Sequence, residues 1–530
     1  MPIPSVPAPP SRRHYVTTAI PYVNAAPHIG FALEVVQADA LARSYRQRGF
    51  DVRLQAGADE NSIKNVHAAQ SLGIPVAELV TLNAARFLAL KNRLGLSYDD
   101  FIRTSAEERH RRGVERLWTA CFARGDVYKR AYRGLYCAGC EQFYKRDELV
   151  NGRCPEHDAK PELVEEENWF FRLSRYEGRL RELYARNAIV IVPQTRRNEV
   201  VSWIDAGLED FSISRSAARA RGWGIPVPGD PDQTIYVWFD ALANYLTALG
   251  YGSDGDGVSQ WWTQAASREH VIGKGITRFH AVYWPAMLLS AGLPAPTRIL
   301  VHGYVTAEGR KIGKSTGNAV DALPLVDELG TDALRYFLLR HIRSTGDGDF
   351  SQIRFRQAYD SELAGQLGNL VHRVLSMIER YCDGVATPPS DGFTEADELL
   401  RAGASLCDAV DTHIEAFAFD RALDDIWAFV ALGNRYVAEA APWNLAGAAA
   451  SQDAATALAG SVKLRGALFS LAASLRTIAT CLCPLLPETS RKLFEKLGSA
   501  GGSRGEPLAG RRVAAGTPLF PRLSISSRTP

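Results

Sequence analysis

Residues 15–49, YVTTAIPYVNAAPHIGFALEVVQADALARSYRQRG, decide the fold. The β-branched run at residues 15–20 predicts a strand, and the segment at residues 27–30 opens a long amphipathic helix that ends at Gly49. A strand that leads into a helix N-terminus makes an anion site, because backbone N–H groups and the helix dipole point at the same place. Asn24 and His28 would add side-chain donors. A lone Pro-His pair at a helix start is more often a cap, so this interpretation needs a second motif.

The second motif is the downstream loop at residues 309–318, GRKIGKSTGN. Lys311 and Lys314 stand three residues apart among glycine and serine. This pattern suits a polyphosphate better than a packed core. Taken alone, the loop could also be an ordinary solvated one.

Composition limits the class of protein. The chain has 530 residues, of which 46% are apolar and 23% charged, which is typical of a globular protein with two or three domains. A net charge of only +2 excludes a globally basic surface, so any nucleic-acid contact must come from local patches. The first residues hold too many prolines for a signal peptide, and no segment has the roughly 18 uncharged apolar residues of a membrane span. We therefore expect a cytoplasmic monomer without a membrane partner.

Three of the eight cysteines cluster with a histidine. Cys137, Cys140, Cys154 and His157 have the spacing C-x2-C-x13-C-x2-H, which is typical of two knuckles closing a tetrahedral Zn²⁺ site. Scattered core residues would not give paired spacing, and a closed shell of four protein ligands indicates a structural metal. The other five cysteines lie in helical, apolar contexts and are predicted to be buried apolar side chains. The count, without a secretory signal, favours a reducing compartment.

Several motifs together resemble one family. The two loops are similar to the HIGH and KMSKS signatures of class I aminoacyl-tRNA synthetases. YVTTAIPYVNAAPHIG, YVWFDALANYLTAL, HVIGKGITRFHAVYWPAML and DALRYFLLR resemble methionyl-tRNA synthetases in order and spacing. The resemblance covers about residues 15–497. It implies an α/β fold, a Rossmann-type parallel sheet with an inserted zinc-binding connective domain, followed by an all-α anticodon-binding bundle.

The domain boundaries expected from this resemblance follow the changes of pattern along the chain. They are a flexible arm (1–13), the first catalytic half (14–130), the connective insertion (131–225), the second catalytic half (226–305), the KMSKS loop with a stem-contact region (306–360), the helical anticodon-binding domain (361–497) and a flexible tail (498–530).

The resemblance also implies roles for individual residues. The activity would be ATP-dependent attachment of methionine to tRNA(Met), with ATP and Mg²⁺ as substrate. The methionine site would consist of Ile20, Tyr22, Asp59, Trp238, Ala241, Tyr245 and His280. Asp59 would pair with the ammonium group, and the aromatic rings would suit a thioether. The alternative is that Trp238 and Tyr245 are ordinary core aromatics.

The nucleotide and anticodon sites follow in the same way. ATP would contact Asn24, His28, Gly30, Gly273, Lys311 and Lys314, of which His28 and the two lysines are the expected catalytic residues. The anticodon would be read by Asn369, Arg373, Pro442 and Trp443, since an amide can bind a base edge and an indole can stack on a base.

Four positions depart from the family pattern, and all lie on the nucleotide side. They are Phe31 after His28-Ile29-Gly30, Asn61-Ser62 in the turn after Asp59, Gly275 after Gly273-Lys274, and Ile312-Gly313 in the lysine loop. Three hypotheses stay open: a working methionine–tRNA ligase, a synthetase-like enzyme that passes an activated amino acid to a small-molecule nucleophile, and an inactive tRNA-binding paralogue. Slow adenylation is expected from the departures, because losing one phosphate donor can cost on the order of 10²–10³ in rate.

Overall fold

The computed structural model describes residues 12–137, 142–144, 146–155, 158–311, 320–388, 395–499 and 508–523. The strands are, in chain order, β1 (Arg13–Thr18), β2 (Asp51–Ala58), β3 (Asp100–Arg103), β4 (Val127–Cys137), β5 (Gln142–Tyr144), β6 (Glu162–Phe171), β7 (Val190–Val192), β8 (Phe211–Ser212), β9 (Ser214–Ser216), β10 (Pro226–Val227), β11 (Asp230–Ile235), β12 (Ser267–Gly273), β13 (Arg298–His302), β14 (Val305–Ala307), β15 (Arg310–Lys311) and β16 (Gly348–Phe350).

The α-helices are, in chain order, α1 (Ile29–Gln47), α2 (Ile63–Leu72), α3 (Val76–Arg93), α4 (Glu108–Ala123), α5 (Glu177–Ala185), α6 (Gln194–Asp205), α7 (Val237–Thr247), α8 (Trp284–Ser290), α9 (Ala322–Leu329), α10 (Thr331–Arg340), α11 (Gln352–Ala358), α12 (Asn369–Tyr381), α13 (Asp397–Glu415), α14 (Phe419–Ala440), α15 (Pro442–Ala449), α16 (Ala454–Leu482) and α17 (Pro487–Lys496).

The chain divides into two compact units. Unit 1 comprises Met1–Pro27, Phe50–Lys91 and Tyr98–His302, and unit 2 comprises His28–Gly49, Asn92–Ser97 and Gly303–Pro530. The boundary falls directly before the helix that the N-terminal signature opens. The strand β1 and the helix α1 of the opening stretch therefore belong to different units.

Unit 1 is built on a six-stranded sheet in the order β3-β2-β1-β12-β13-β7, in which every pair is parallel. Its apolar core contains the fully buried side chains of Tyr15, Trp262 and Trp284. A parallel sheet with crossovers confirms the predicted α/β, Rossmann-type class. In such sheets ligands bind at the carboxyl ends of the strands, which here are the ends of β1, β2 and β12.

A second, antiparallel sheet interrupts this one in the chain. Its order is β5-β4-β6-β8, and β4 pairs with β6 along ten residues, from Val127 opposite Phe171 to Tyr136 opposite Glu162. Its strands β4, β5 and β6 lie in sequence between β3 and β7 of the parallel sheet, and β8 follows β7. The predicted zinc ligand Cys137 is the last residue of β4.

The run TIYVWF at residues 234–239 is predicted as one buried strand followed by a helix from Asp240, and this is wrong. β11 ends at Ile235 and pairs antiparallel with β9 and β10, outside the parallel sheet, while α7 already begins at Val237. A short continuous apolar run looks the same in a buried strand and in a buried helix, so periodicity cannot divide it.

Unit 2 contains α1, the small sheet β15-β14-β16 and the helices α9–α17. A fully buried ion pair joins α1 to α10, with Arg335 2.8 Å from Asp39. Burial alone would raise the pKa of Asp39, but the guanidinium groups of Arg335 and Arg43 outweigh it and hold that pKa below its usual range. Arg335 also donates to the carbonyls of Leu94, Pro484 and Leu485.

The predicted flexible tail is wrong for residues 508–523. The Val513 N–H donates to the Gly384 carbonyl at 2.8 Å, and the Ala386 N–H donates to the Arg511 carbonyl at 3.0 Å. Leu508 and Val513 are buried. A linker-like composition hides these few apolar anchors, which have no periodicity of their own.

One helix of the described residues, α16, is long and apolar enough to cross a membrane by length and composition. In the apolar 18-residue stretch of this helix, 56% of the residues are buried inside the protein. The core helix of a helical bundle has the same composition, because it is apolar on several faces.

Candidate active site

In unit 1, the residues predicted to bind methionine begin directly after β1. Tyr22 forms a parallel bridge with Asp59, and the Asp59 N–H donates to the Pro21 carbonyl at 2.9 Å. Asp59 is only 2% exposed, and its carboxylate accepts the Asn61 N–H. The turns after β1 and β2 therefore hold Tyr22 and Asp59 side by side, as their shared site requires.

Gly57 makes room for Ile20. A Cβ at Gly57 would lie 2.8 Å from Ile20 Cγ2 and 2.6 Å from the Ile102 carbonyl oxygen. These distances are shorter than any van der Waals contact, so only glycine lets β2 approach Ile20 this closely.

His280 and Tyr245 form a buried hydrogen-bonded pair. The His280 Nδ1 lies 3.0 Å from the Ile276 carbonyl, which can only accept, so this nitrogen carries the proton. Nε2 therefore accepts the Tyr245 hydroxyl at 2.7 Å. Burial lowers the pKa of His280 to about 4, because the charged imidazolium would lose its solvation. The ring is a neutral acceptor at physiological pH.

Trp238 stacks on Phe279, with ring centroids 3.7 Å apart and planes inclined by 6°. The Trp238 ring also meets His280 edge-on at 6.5 Å. Among the described residues, no hydrogen-bond partner reaches the buried Nε1 of Trp238. Phe279 was missed by sequence reasoning, although it directly precedes His280 in the motif.

Buried polar side chains support the aromatic wall formed by Tyr245, His280, Trp238 and Phe279. Sequence reasoning missed their contacts as well. Asp240 is 1% exposed and accepts from Asn61 Nδ2 at 2.7 Å and from His110 at 2.5 Å. Gln55 donates to Asn244 at 2.8 Å. These bonds explain why polar residues alternate with aromatics in α7, and the Asn61 bond fixes the Asp59 turn beside the start of α7. His110 and Gln55 carry no local signal, since their partners are far away in sequence.

His270 of β12 is a second buried, neutral histidine. Trp284 Nε1 donates to its Nε2 at 3.2 Å, so Nδ1 carries the proton and donates to Thr17 Oγ1 at 2.7 Å. Burial, with His280 and Arg268 nearby, lowers the pKa of His270 well below its usual value. Its ring lies 4.2 Å from that of Tyr245. This contact holds the Tyr245 ring from the sheet side.

Gly273 and Asn24 are the predicted nucleotide residues in unit 1. Gly273 ends β12 opposite His302, whose ring would lie 3.5 Å from a Cβ at Gly273. Asn24 is half-buried in a segment that Asn83 anchors by donating to the Val23 carbonyl at 2.6 Å. Both follow carboxyl ends of strands in the parallel sheet.

His28 and Gly30 lie in unit 2 at the start of α1. His28 is the N-cap, and its Nδ1 accepts the Gly30 N–H at 3.1 Å. A Cβ at Gly30 would come within 2.9 Å of His28 Cε1, so the glycine permits this cap. The Ile29 N–H donates to the Val320 carbonyl at 2.9 Å, which ties the residue after the lysine loop to the signature helix. Phe31 follows in the first turn.

The lysine loop itself is only partly described. The backbone of Lys311 pairs with Thr306 in the β14–β15 hairpin. Lys314 lies outside the described residues, as do the altered positions Ile312 and Gly313.

Two of the four predicted zinc ligands lie within the described residues. Cys137 and Cys154 are 2% and 1% exposed, and they form one buried cluster with Tyr144. The Cys154 Sγ lies 3.6 Å from the Tyr144 hydroxyl. Cys140 and His157 lie outside the described residues, and the parts of the chain that are described contain no complete metal-ligand cluster.

The predicted anticodon residues lie on two helices of unit 2 that contact each other, α12 and α15. Asn369 is the first residue of α12, and Arg373 follows one turn later. Pro442 is the first residue of α15, after Ala441 in the left-handed region, and Trp443 is 45% exposed. An exposed indole on one helix, with an amide and a guanidinium on the helix that it contacts, suits a single-stranded base.

Comparison with known proteins defines the class. The sequence model of the family described as "tRNA synthetases class I (M)" matches residues 14–160 and 147–375. A methionine–tRNA ligase of Brucella melitensis is 41% identical over 524 residues, covering 96% of this chain and 98% of the relative. One from Caldanaerobacter subterraneus is 40% identical over 519 residues, covering 96% and 79%.

A solved structure agrees. Mycobacterium tuberculosis methionyl-tRNA synthetase in complex with methionyl-adenylate matches with a TM-score of 0.90 at 39% identity, covering 96% of this chain and 100% of that chain. The chain therefore belongs to the methionyl-tRNA synthetase family of class I aminoacyl-tRNA synthetases. The resemblance stated from the motifs is confirmed.

Proposed function

We propose that this protein is a methionine–tRNA ligase. In the first step the methionine carboxylate attacks the α-phosphorus of ATP, forming methionyl-adenylate and releasing diphosphate. In the second step a 3′-terminal ribose hydroxyl of tRNA(Met) attacks the acyl carbon and AMP leaves. The observation that carries the proposal is the aromatic wall of buried Tyr245, His280 and Phe279 with half-buried Trp238, near which Asn61 and Asp240 join the turn of Asp59 to α7.

The wall suits methionine because it is largely apolar and the polar atoms of Tyr245 and His280 are paired with each other and with Ile276. Neutral His280 is held by Ile276 and Tyr245, so no charge opposes burial of a thioether. Sulfur against an aromatic ring gains roughly 0.3–1.5 kcal/mol per contact. The Asp59 carboxylate would bind the ammonium group and orient the carboxylate of the substrate toward ATP.

From the family pattern, we expect the nucleotide to contact His28, Lys311 and Lys314, and also Asn24 and Gly273. Their task is to position the triphosphate and to neutralise charge that develops as diphosphate leaves. Mg²⁺ would accompany ATP as part of the substrate. Phe31 offers no hydrogen-bond donor where the family pattern has a histidine, and Gly275 offers no carboxylate where it has an aspartate, so we expect adenylation to be slower than in typical members of the family.

A structural Zn²⁺ would be held by Cys137, Cys140, Cys154 and His157. The chemistry of the two described ligands fits, because two thiols packed together in a buried cluster of the insertion suit a closed metal site. When bound, the ion would supply folding energy to the insertion and no catalytic chemistry. Metal analysis of the purified protein should find one zinc per chain, and Cys154→Ala should abolish it.

One competing function is transfer of the activated amino acid to a small-molecule nucleophile. Methionine-dependent ATP–diphosphate exchange followed by charging of tRNA(Met) separates the two. We expect both reactions. Exchange without charging would support the competing function, and neither reaction would support an inactive tRNA-binding paralogue.

Trp443→Ala sharpens the same test. We expect kcat/KM for tRNA(Met) in charging to fall by the equivalent of roughly 1–3 kcal/mol, the usual value of one stacked base. The rate of ATP–diphosphate exchange should stay unchanged. Leu458→Ala is the matched control, because Leu458 is an exposed apolar residue at 68% on the neighbouring α16. An equal loss in both reactions would contradict an anticodon role for Trp443.

A further inference from the structure

Two cysteines of the helical bundle, predicted to be inert, lie in direct contact. The Sγ atoms of Cys407 in α13 and Cys481 in α16 are 3.0 Å apart. They are separated by 74 residues in sequence, and no spacing rule links them. Cys407 is half-buried, while Cys481 is 3% exposed.

The distance between the two sulfurs indicates whether the pair suits a metal ion or a disulfide bond. Two thiolates bound to one zinc ion, each at about 2.3 Å, stand roughly 3.8 Å apart in a tetrahedral shell. A disulfide needs about 2.05 Å, so the sulfurs at 3.0 Å are already closer than two thiolates that share one zinc ion. The described residues also contain no third metal ligand beside these sulfurs. The geometry therefore suits a covalent bond better than a metal.

The pair lies where both helices hold the last turn of α1. Asp411, one turn after Cys407, accepts from Ser44 at 3.3 Å. The carbonyl of Thr480, directly before Cys481, accepts from Gln47 at 2.9 Å. A bond between the sulfurs would lock these two acceptors at one separation.

We propose that Cys407 and Cys481 are a reversible disulfide-forming site that responds to peroxide and clamps the last turn of α1. The more accessible Cys407 thiolate attacks hydrogen peroxide, gaining one oxygen as a sulfenic acid, and the rest of the peroxide leaves as water. The Cys481 thiolate then attacks that sulfur, the S–S bond forms, and the hydroxyl leaves as a second water. Two thiols and one peroxide thus give one disulfide and two waters, and a dithiol reductant reverses the reaction.

The test uses the purified full-length chain treated with hydrogen peroxide and then digested with trypsin without reductant. Residues 402–421 and 477–491 should appear as one linked species that dithiothreitol separates. Because Cys483 shares the second peptide, Cys481→Ser should abolish the link and Cys483→Ser should retain it. Equal thermal midpoints of the reduced parent and both variants establish that the helices are intact.

Hydrogen exchange tests the clamp. The amides at residues 44–48 should exchange at least threefold more slowly in the oxidised parent than in the reduced parent, with no change in Cys481→Ser. A Cys481–Cys483 bond, over-oxidation of Cys407 without a link, or resistance of both thiols would overturn the proposed site. A link without slower exchange would overturn the clamp.

Discussion

The amino-acid site and the nucleotide-side signatures of this protein differ in how much of the family pattern they keep. In the amino-acid site, His280, Tyr245 and Asp240 each have buried partners. On the nucleotide side, the altered positions divide into two kinds. Asn61 and Ser62 have structural tasks, since Asn61 donates to Asp240 and Ser62 caps α2. Phe31 and Gly275 bring no polar side chain. The residues proposed to bind methionine are thus tied into the fold, while the altered positions without a polar side chain belong to the nucleotide-side motifs.

The largest expected effect comes from a substitution in the proposed methionine site. Asp59→Asn removes the buried charge proposed to pair with the ammonium group, and such truncations cost about 2–5 kcal/mol. We expect kcat/KM for methionine in diphosphate exchange to fall about 100-fold or more. Asp51→Asn, at the exposed start of the same strand, is the control. Similar small losses in both variants would show that Asp59 does not bind the ammonium group of methionine.

The second effect concerns stability and pH. His280 has a pKa of about 4 in the folded protein against an ordinary 6.5, so between these values only the unfolded chain takes up the proton. Stability is therefore lost as pH falls from about 6.5 to about 4, by about 3 kcal/mol in total from this residue. Urea unfolding at pH 7.5 and 5.0 should show a smaller pH dependence in His280→Gln, which can accept from Tyr245 but does not titrate. Equal pH dependence of the two proteins would contradict the buried neutral histidine.

The third effect tests Asn61, the altered position that donates to Asp240 beside the proposed methionine site. Asn61→Ala leaves the buried Asp240 with one donor fewer, a loss of about 1–3 kcal/mol that should loosen the Asp59 turn. We expect the KM for methionine to rise about tenfold, with kcat in exchange changed less. Asn198→Ala, an exposed amide in α6, is the control. A fall in kcat alone would instead assign Asn61 to the nucleotide.

The smallest effect is a gain on the nucleotide side. Phe31→His places a donor in the first turn of α1, and the rate of adenylate formation should rise about tenfold, less than the full effect of an oxyanion donor. Phe31→Leu removes the ring without adding a donor and should give no gain. Adding Gly275→Asp should give a non-additive gain if both positions act on one ligand. A flat or falling rate in all variants would mean that the nucleotide site is organised differently from the family.

The sequence by itself determined the class of fold, the order of the motifs and the identity of most candidate residues. These features are local, since strand and helix periodicities, cap residues and paired cysteine spacings are legible over a few residues. That is why β1, α1 and the parallel sheet were predictable, while the apolar run before α7 was divided wrongly.

Only the tertiary structure decided how the candidate residues work. His280 accepts the hydroxyl of Tyr245, 35 residues away, Asp240 is held by His110, 130 residues away, and Cys407 meets Cys481 across 74 residues. Such pairings depend on which faces of distant elements pack together, and burial then sets the pKa of the groups enclosed there. Nothing within a single strand or helix encodes them, so the chemistry of the site appears only once the chain is folded.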